Sequence, residues 1–240
     1  MIRKVLRVVA AAAAAGFALL AYVYLTLPDV RALATVNPTT TAFMELRERE
    51  AARDGKKLRH LHAWVPYSRI SQNLKRAVLV AEDDAFFDHE GVDLEQLRKS
   101  IELDIRQGKA VRGGSTVTQQ LAKNLYLSPT RDPLRKLREL IIARRLEAEL
   151  TKSRILELYL NVIEWGDGIY GVDAAARAYF GTSAATLSES QSALLAGAII
   201  NPRVLNPGRP SPRLIRRQQL ILRRMGMVVP PAVESSLPLR

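Results

Sequence analysis

Apolar positions along this chain fall into two regimes. From Val8 to Leu27 no charged residue occurs, and the stretch is mostly Ala, Leu, Val, Phe and Tyr until Pro28 and Asp29 end it. A run of about 20 such residues, rising ~1.5 Å each as a helix, spans a ~30 Å hydrocarbon layer. From Ile70 almost to the end, apolar residues instead recur at helical spacing, so this part is predicted to be mostly helical. Between the two, Asn37-Pro38-Thr39-Thr40-Thr41 forms a turn-rich break, and Thr40 or Thr41 is placed to cap a short helix through Phe43–Glu48. That helix runs into a charged stretch, and His60 to Pro66 reads as a short extended segment. The predicted organisation is an amino-terminal segment 1–7, a membrane helix 8–27, a connector 28–59, a mostly helical domain 60–225 and a Pro-rich, frayed tail 226–240.

Charge sharpens the first regime. Arg3, Lys4 and Arg7 precede the apolar run, which favours an amino terminus in the cytoplasm and everything after Leu27 outside. A cleaved signal peptide is the competing reading. The apolar run continues past the alanines through Phe17-Ala18-Leu19-Leu20, longer than such peptides need, so a retained anchor is expected. The whole chain carries 36 Lys and Arg against 24 Asp and Glu, a net charge of +12, which suits a polyanionic partner such as an anionic membrane surface or a phosphorylated substrate. There is no cysteine, and the three histidines, His60, His62 and His89, are too scattered for a zinc site. Nucleic acid is disfavoured by the external location and by the lack of an interleaved basic and aromatic patch.

Five segments carry candidate chemistry. In the first, an apolar run drives into carboxylates at Glu82-Asp83-Asp84. If helical, Glu82, Phe86 and His89 share one face, and a partly desolvated Glu82 would have a pKa raised toward a useful range for proton transfer. On spacing alone, a solvated acidic helix end is the stronger reading. The second is Gly113-Gly114-Ser115-Thr116-Val117-Thr118-Gln119-Gln120, where Thr116 and Gln119 form a capping box at a helix start whose free amides suit an anion. The third groups Lys123, Arg131, Arg135 and Lys136 with Glu139. It is either a surface Arg135–Glu139 pair, worth at most ~0.5 kcal/mol, or a clamp for pyrophosphate. The fourth runs from Lys152 to Asn161 through Glu157 and Tyr159, and its stripe Ile155, Leu158, Tyr159 is expected to pack. The fifth follows Arg216-Arg217, with Leu214, Ile221, Leu222 and Met225 as a core stripe and arginines outward; Arg223 and Arg224 read as a solvated basic face.

Taken in order, these segments resemble the five motifs of the bacterial peptidoglycan glycosyltransferases. Glu82, Asp83, Phe86, His89 and Gly91 match the first motif, and Gly113–Gln120 the second. Arg135, Lys136 and Glu139 match the third, Lys152–Asn161 the fourth, and Arg216-Arg217 the fifth, with Leu220-Ile221 in place of Val-Leu. Asn37-Pro38-Thr39-Thr40 and Trp64-Val65-Pro66 further resemble the stand-alone, Gram-negative type. No Ser-x-x-Lys, Ser-Asp-Asn or Lys-Thr-Gly occurs, so a second, transpeptidase activity is not expected.

The resemblance implies a mainly α, lysozyme-like two-lobed glycosyltransferase domain behind a single amino-terminal membrane helix. It implies polymerisation of lipid II into β-1,4-linked glycan with inversion and release of undecaprenyl pyrophosphate, on the periplasmic side of the inner membrane. Glu82 would be the general base and Glu139 a second catalytic carboxylate. Asp83, Phe86, His89, Ser115, Thr116, Gln119, Gln120, Lys123, Arg131, Arg135 and Lys136 would bind substrate, and Lys152, Glu157, Tyr159, Asn161, Arg216 and Arg217 would belong to the structural motifs. No organic cofactor is implied. Glu139 would orient the cations or a divalent metal, Mg2+ or Mn2+, and partners would be the growing strand and cell-wall synthesis or division proteins. Two other classes remain: a muramidase or lytic transglycosylase, which also uses a Glu in a lysozyme-like fold, and a non-catalytic anchored scaffold.

Overall fold

The computed structural model describes residues 1–57, 59–95, 98, 102, 114–127 and 133–227. The first helix, α1 (Ile2–Leu25), contains most of the apolar run and is long and apolar enough to cross a membrane. It stops where Thr26 takes φ −94° and ψ 5° and turns its hydroxyl back onto the Tyr22 carbonyl at 2.7 Å, two residues before Pro28. Thr41 caps α2 (Ala42–Arg53) by accepting from the Met44 amide, so the capped helix is present and longer than its apolar residues suggested.

The segment after α1 is fastened to the body between Val30 and Arg47. Val30, Leu33 and Met44 are buried. Arg154 donates to the carbonyls of Leu33 and Val36 and to the Asn37 side chain at 2.7–3.1 Å, and Arg47 reaches the buried Glu164 at 3.0 Å. The next helices are α3 (Gln72–Glu82), α4 (Val117–Tyr126), α5 (Pro133–Glu149), α6 (Lys152–Val162), α7 (Val172–Phe180), α8 (Glu189–Ala198) and α9 (Pro212–Arg224). α3 lies at the centre. Leu74, Ala77, Val78 and Leu79 are fully buried, and α8 and α9 pack along the helix. On the other side α4 packs against α5 and α6.

The mostly helical pattern predicted from Ile70 onward is interrupted, among the described residues, by a small sheet around residues 164–170. β2 (Glu164–Gly166) and β3 (Ile169–Tyr170) form a hairpin, and β1 (Leu61–His62) joins it in parallel, giving the order β1-β3-β2. Strands this short carry too few residues to show an alternating pattern. Gly168 turns the hairpin at φ +67°, where a Cβ would stand 1.6 Å from the Arg59 carbonyl oxygen. The extended segment beyond β1 is held by α6. Asn161 accepts from the Val65 amide and donates to the Val65 carbonyl, both at 2.8 Å, imitating a strand partner. Glu157 accepts from the Trp64 indole and the Tyr67 amide, so the stretch from Trp64 to Tyr67 is stapled to one helix. The stripe Ile155, Leu158, Tyr159 is fully buried, as the periodicity predicts.

Asn161→Ala would leave both polar groups of the buried Val65 backbone without partners. The expected cost is roughly 3 kcal/mol and a melting temperature lowered by about 6–12 °C, read by circular dichroism of the full chain in detergent. An unchanged melting curve would contradict this staple.

Candidate active site

The site begins where α3 ends. Asp83 leaves the helix at φ −168° and ψ 81°, and its carboxylate is buried. That carboxylate accepts from the Val117 amide, the first of α4, at 2.9 Å, and lies 3.0 Å from Nε2 of His89. A negative group at the start of a helix meets unpaired N–H groups and the positive end of the helix dipole. Asp83 therefore joins the end of one helix to the start of another. Glu82, Phe86 and His89 do not share a helical face as the spacing suggested, because the helix stops at Glu82. Phe86 turns into the core, and His89 folds back over Asp83. Lys152 lies 4.4 Å from the Phe86 ring centroid, donates to the His89 carbonyl and pairs with Glu147 at 2.9 Å, so this fourth-motif lysine clasps the loop of the first.

Thr116 caps α4 by accepting from the Gln119 amide at 3.2 Å, and its hydroxyl donates to the Gly91 carbonyl at 2.7 Å. Only this half of the predicted capping box is made. The Gln119 side chain instead accepts from Lys136 on α5 at 3.4 Å. Ser115 is exposed beside the helix start, and its carbonyl accepts from Gln120 at 3.4 Å.

Glu82 faces α4. Its carboxylate accepts from the Gln120 amide at 2.8 Å, and the Gln120 carbonyl oxygen accepts from the Tyr159 hydroxyl at 3.0 Å. Tyr159 is fully buried, with its hydroxyl pKa raised well above the ordinary value by burial and by the charges of Glu82 and Asp83. An ionised carboxylate only accepts, so the Gln120 nitrogen faces Glu82, and the phenol supports that orientation by donating to the carbonyl oxygen. Burial raises the Glu82 pKa. The Gln120 hydrogen bond and the charges of Arg217 and Lys123 oppose that rise, and Asp83 adds to it.

Beyond Glu82 lies a cationic lobe. Lys123 on α4 has its pKa lowered by burial first. Glu139 and Glu82 pull it up, and Arg135 and Lys136 push it down. Lys123 thus stands in electrostatic reach of both Glu82 and the α5 cluster. Glu139 is buried, 2.9 Å from Arg135 and hydrogen-bonded to Lys136, so the third segment is no exposed surface pair. Arg131 falls outside the described residues. The two oxygens of Glu139 face two cations, Arg135 and Lys136. Among the described residues no group of three His, Cys, Asp or Glu could hold a metal.

The fifth segment divides. Arg216 is exposed as expected, but Arg217 turns inward, donating to the Gly197 carbonyl at 3.0 Å and placing its charge within reach of Glu82. The signal was in the spacing: Arg217 falls between Leu214 and Ile221 on the buried stripe of α9. Arg224 also departs from a purely solvated face, pairing with Asp84 at 2.6 Å. Tyr159, read from sequence as a packing residue, both packs and reaches Glu82 through Gln120.

The sequence model of the family described as Transglycosylase matches residues 54–226. Among relatives, a protein of Herminiimonas arsenicoxydans is 50% identical over 190 residues, covering 79% of this chain and 82% of its own. One of Thiobacillus denitrificans is 51% identical over 197 residues, covering 81% and 84%. One of Chromobacterium violaceum is 47% identical over 192 residues, covering 80% and 84%. All three are named biosynthetic peptidoglycan transglycosylase. With the mainly helical fold and a half-buried glutamate beside a cationic lobe, these similarities assign the chain to the transglycosylase family.

Proposed function

We propose that this protein polymerises peptidoglycan glycan strands from lipid II, a disaccharide-pentapeptide carried on undecaprenyl pyrophosphate. The observation that carries the reading is the placement of Glu82, held by Gln120, with Lys123 between it and the Arg135–Lys136–Glu139 cluster. A glycosyl transfer with a pyrophosphate leaving group needs those two parts. A base removes the proton from the acceptor's 4-hydroxyl as that oxygen attacks the donor's anomeric carbon. The bond from that carbon to phosphate breaks, its electron pair leaves with the pyrophosphate, and cations stabilise the developing charge. A single displacement inverts the anomeric centre and gives a β-1,4 link.

Glu82 takes the role of base. It must be ionised before attack, and its raised pKa makes it a stronger base than an exposed glutamate. Lys123, Arg135 and Lys136, with Arg131, receive the pyrophosphate, while Glu139 holds Arg135 and Lys136 in place. Arg217 and Gln120 keep the ionised form of Glu82 accessible. Asp83, His89 and Thr116, with the buried Phe86 behind them, hold the loop that follows Glu82 rather than meeting substrate, and Ser115, Gln119 and Gln120 line the donor side. The apolar α1, with Arg3, Lys4 and Arg7 before it, supports a single-pass anchor in the inner membrane with the catalytic domain in the periplasm, where a lipid-borne substrate is presented.

Glu82→Gln is expected to keep the fold and lower polymerisation of lipid II at least a hundredfold, measured as glycan strand formed by the purified full chain. Wild-type protein is expected to release no fragments from sacculi. Fragments from sacculi without strands from lipid II would establish the lytic reading instead.

The pH dependence has two limbs of known direction. Activity is lost as pH falls through the raised Glu82 pKa, so the acid limb should lie above the ordinary glutamate value of 4.5. It is lost again as pH rises through the lowered Lys123 pKa, so the alkaline limb should lie below 10.5. Tyr159→Phe keeps the ring but frees the Gln120 amide to turn. It should lower kcat about tenfold with little change in KM and shift the acid limb upward. A variant with an unmoved acid limb would show that Tyr159 only packs.

A further inference from the structure

A cavity of about 410 Å³ opens where the outer end of α1 meets α5, far along that helix from Arg135 and Lys136. Tyr24, Leu27, Asp29, Arg31, Arg145 and Glu149 line it. The volume falls in the range of small-ligand pockets, ~300–1,000 Å³. Two arginines of α5 reach the end of α1. Arg145 stacks 4.5 Å over the Tyr24 ring and lies 3.5 Å from the Tyr24 carbonyl oxygen, and Arg138 lies 3.5 Å from the Thr26 hydroxyl and 5.9 Å from the centre of the Tyr22 ring. The Nε of Arg138 is buried and, among the described residues, has no partner.

The charges in this cavity are mixed. Asp29 and Arg31 pair at 2.7 Å, Glu149 acts on Arg31, and Arg145 acts on Asp29. The hydrogen bonds from Arg31 pull the Asp29 pKa down to about 2, so Asp29 stays a carboxylate at any ordinary pH. Both members of the Asp29–Arg31 pair are mostly exposed, 59% and 71%. An exposed pair of this kind is only weakly held against water, so a ligand bringing both signs of charge can exchange with it at little cost. A purely anionic headgroup would meet two carboxylates, and a purely cationic one two guanidinium groups.

We propose that this cavity binds the zwitterionic phosphoethanolamine headgroup of a membrane phospholipid. The phosphate lies between Arg31 and Arg145, the primary ammonium against Asp29 and Glu149, and Leu27 faces the glycerol end. The proposal rests on α1 being a membrane anchor, since that places Tyr22 and Tyr24 at the headgroup level, where aromatic rings and arginines collect. A lipid held there would set the depth and tilt of α5, and α5 carries Arg135, Lys136 and Glu139 on another part of its surface.

The test uses the full chain in detergent micelles. Retention of dioleoyl phosphatidylethanolamine, its N-methyl and N,N-dimethyl forms, phosphatidylcholine and phosphatidylglycerol is compared by native mass spectrometry. Each added methyl group removes an N–H donor to a carboxylate. Retention should fall stepwise, about tenfold from the ethanolamine to the choline lipid, with phosphatidylglycerol below the ethanolamine lipid. The double substitution Asp29→Asn with Glu149→Gln should flatten the series without changing the melting temperature. A flat series for the wild-type chain, which needs no variant to read, or stronger retention of phosphatidylglycerol, overturns the proposal. Flotation on vesicles of ethanolamine and choline lipids separates the two claims. A chain that floats but shows a flat series lacks the headgroup site alone, whereas a chain that does not float with vesicles lacks the anchor and the site together.

Discussion

The buried carboxylate of Asp83 is the contact on which the site depends. A helix as apolar as α3 would run on past Glu82 unless another interaction repaid the hydrogen bonds lost by stopping. Asp83 supplies it by accepting the first amide of α4 and facing the His89 ring. A charge-assisted hydrogen bond of this kind is worth roughly 1.5–3 kcal/mol, more than the propensity differences that would carry the helix one turn further. The consequence is geometric. Glu82 becomes the last helical residue, and its side chain meets α4.

From that junction the polar groups of the site form one connected set. Tyr159 orients Gln120, Gln120 holds Glu82, Lys123 feels Glu82 and Glu139 together, and Glu139 binds Arg135 and Lys136. The opposed influences on Glu82 suit a base. Burial makes the carboxylate more basic, while Gln120, Arg217 and Lys123 limit the rise so that the ionised form remains accessible. The cations face a related balance. Burial lowers the pKa of Lys123, and Glu139 counters both that burial and the repulsion of its cationic neighbours. A cluster prepared in this way needs little rearrangement when a pyrophosphate departs.

Much of this was legible in the sequence because local physics decided it. The cap at Thr41, the buried stripe of α6 and the buried Leu214 and Ile221 of α9, continued by Met225 just beyond it, follow from side-chain chemistry and helical spacing. The remainder depends on partners distant in the chain. Nothing within a turn of Asp83 announces that its carboxylate will meet an amide 34 residues later. The hairpin after α6 was hidden because strands of two and three residues have no readable period. Arg217 was visible in principle, since it sits on the apolar stripe of its helix. An arginine on such a stripe needs a reason to be there, and Glu82 with the Gly197 carbonyl provides one. Spacing alone left Glu82 one carboxylate in an acidic cluster, and it was the resemblance of the ordered motifs that singled it out as the expected base.

The central claim is that burial, restrained by Gln120, Arg217 and Lys123, makes Glu82 a base stronger than an exposed glutamate. A carbon-13 NMR titration of the side-chain carboxyls in glutamate-labelled protein measures this directly, with the Glu82 signal assigned by its loss in the Glu82→Gln spectrum. The account predicts that the signal assigned to Glu82 loses its proton above the ordinary value of 4.5, as the buried Glu164 also should, and returns toward that value when the chain is unfolded. A Glu82 titration at or below 4.5 in the folded protein would contradict it.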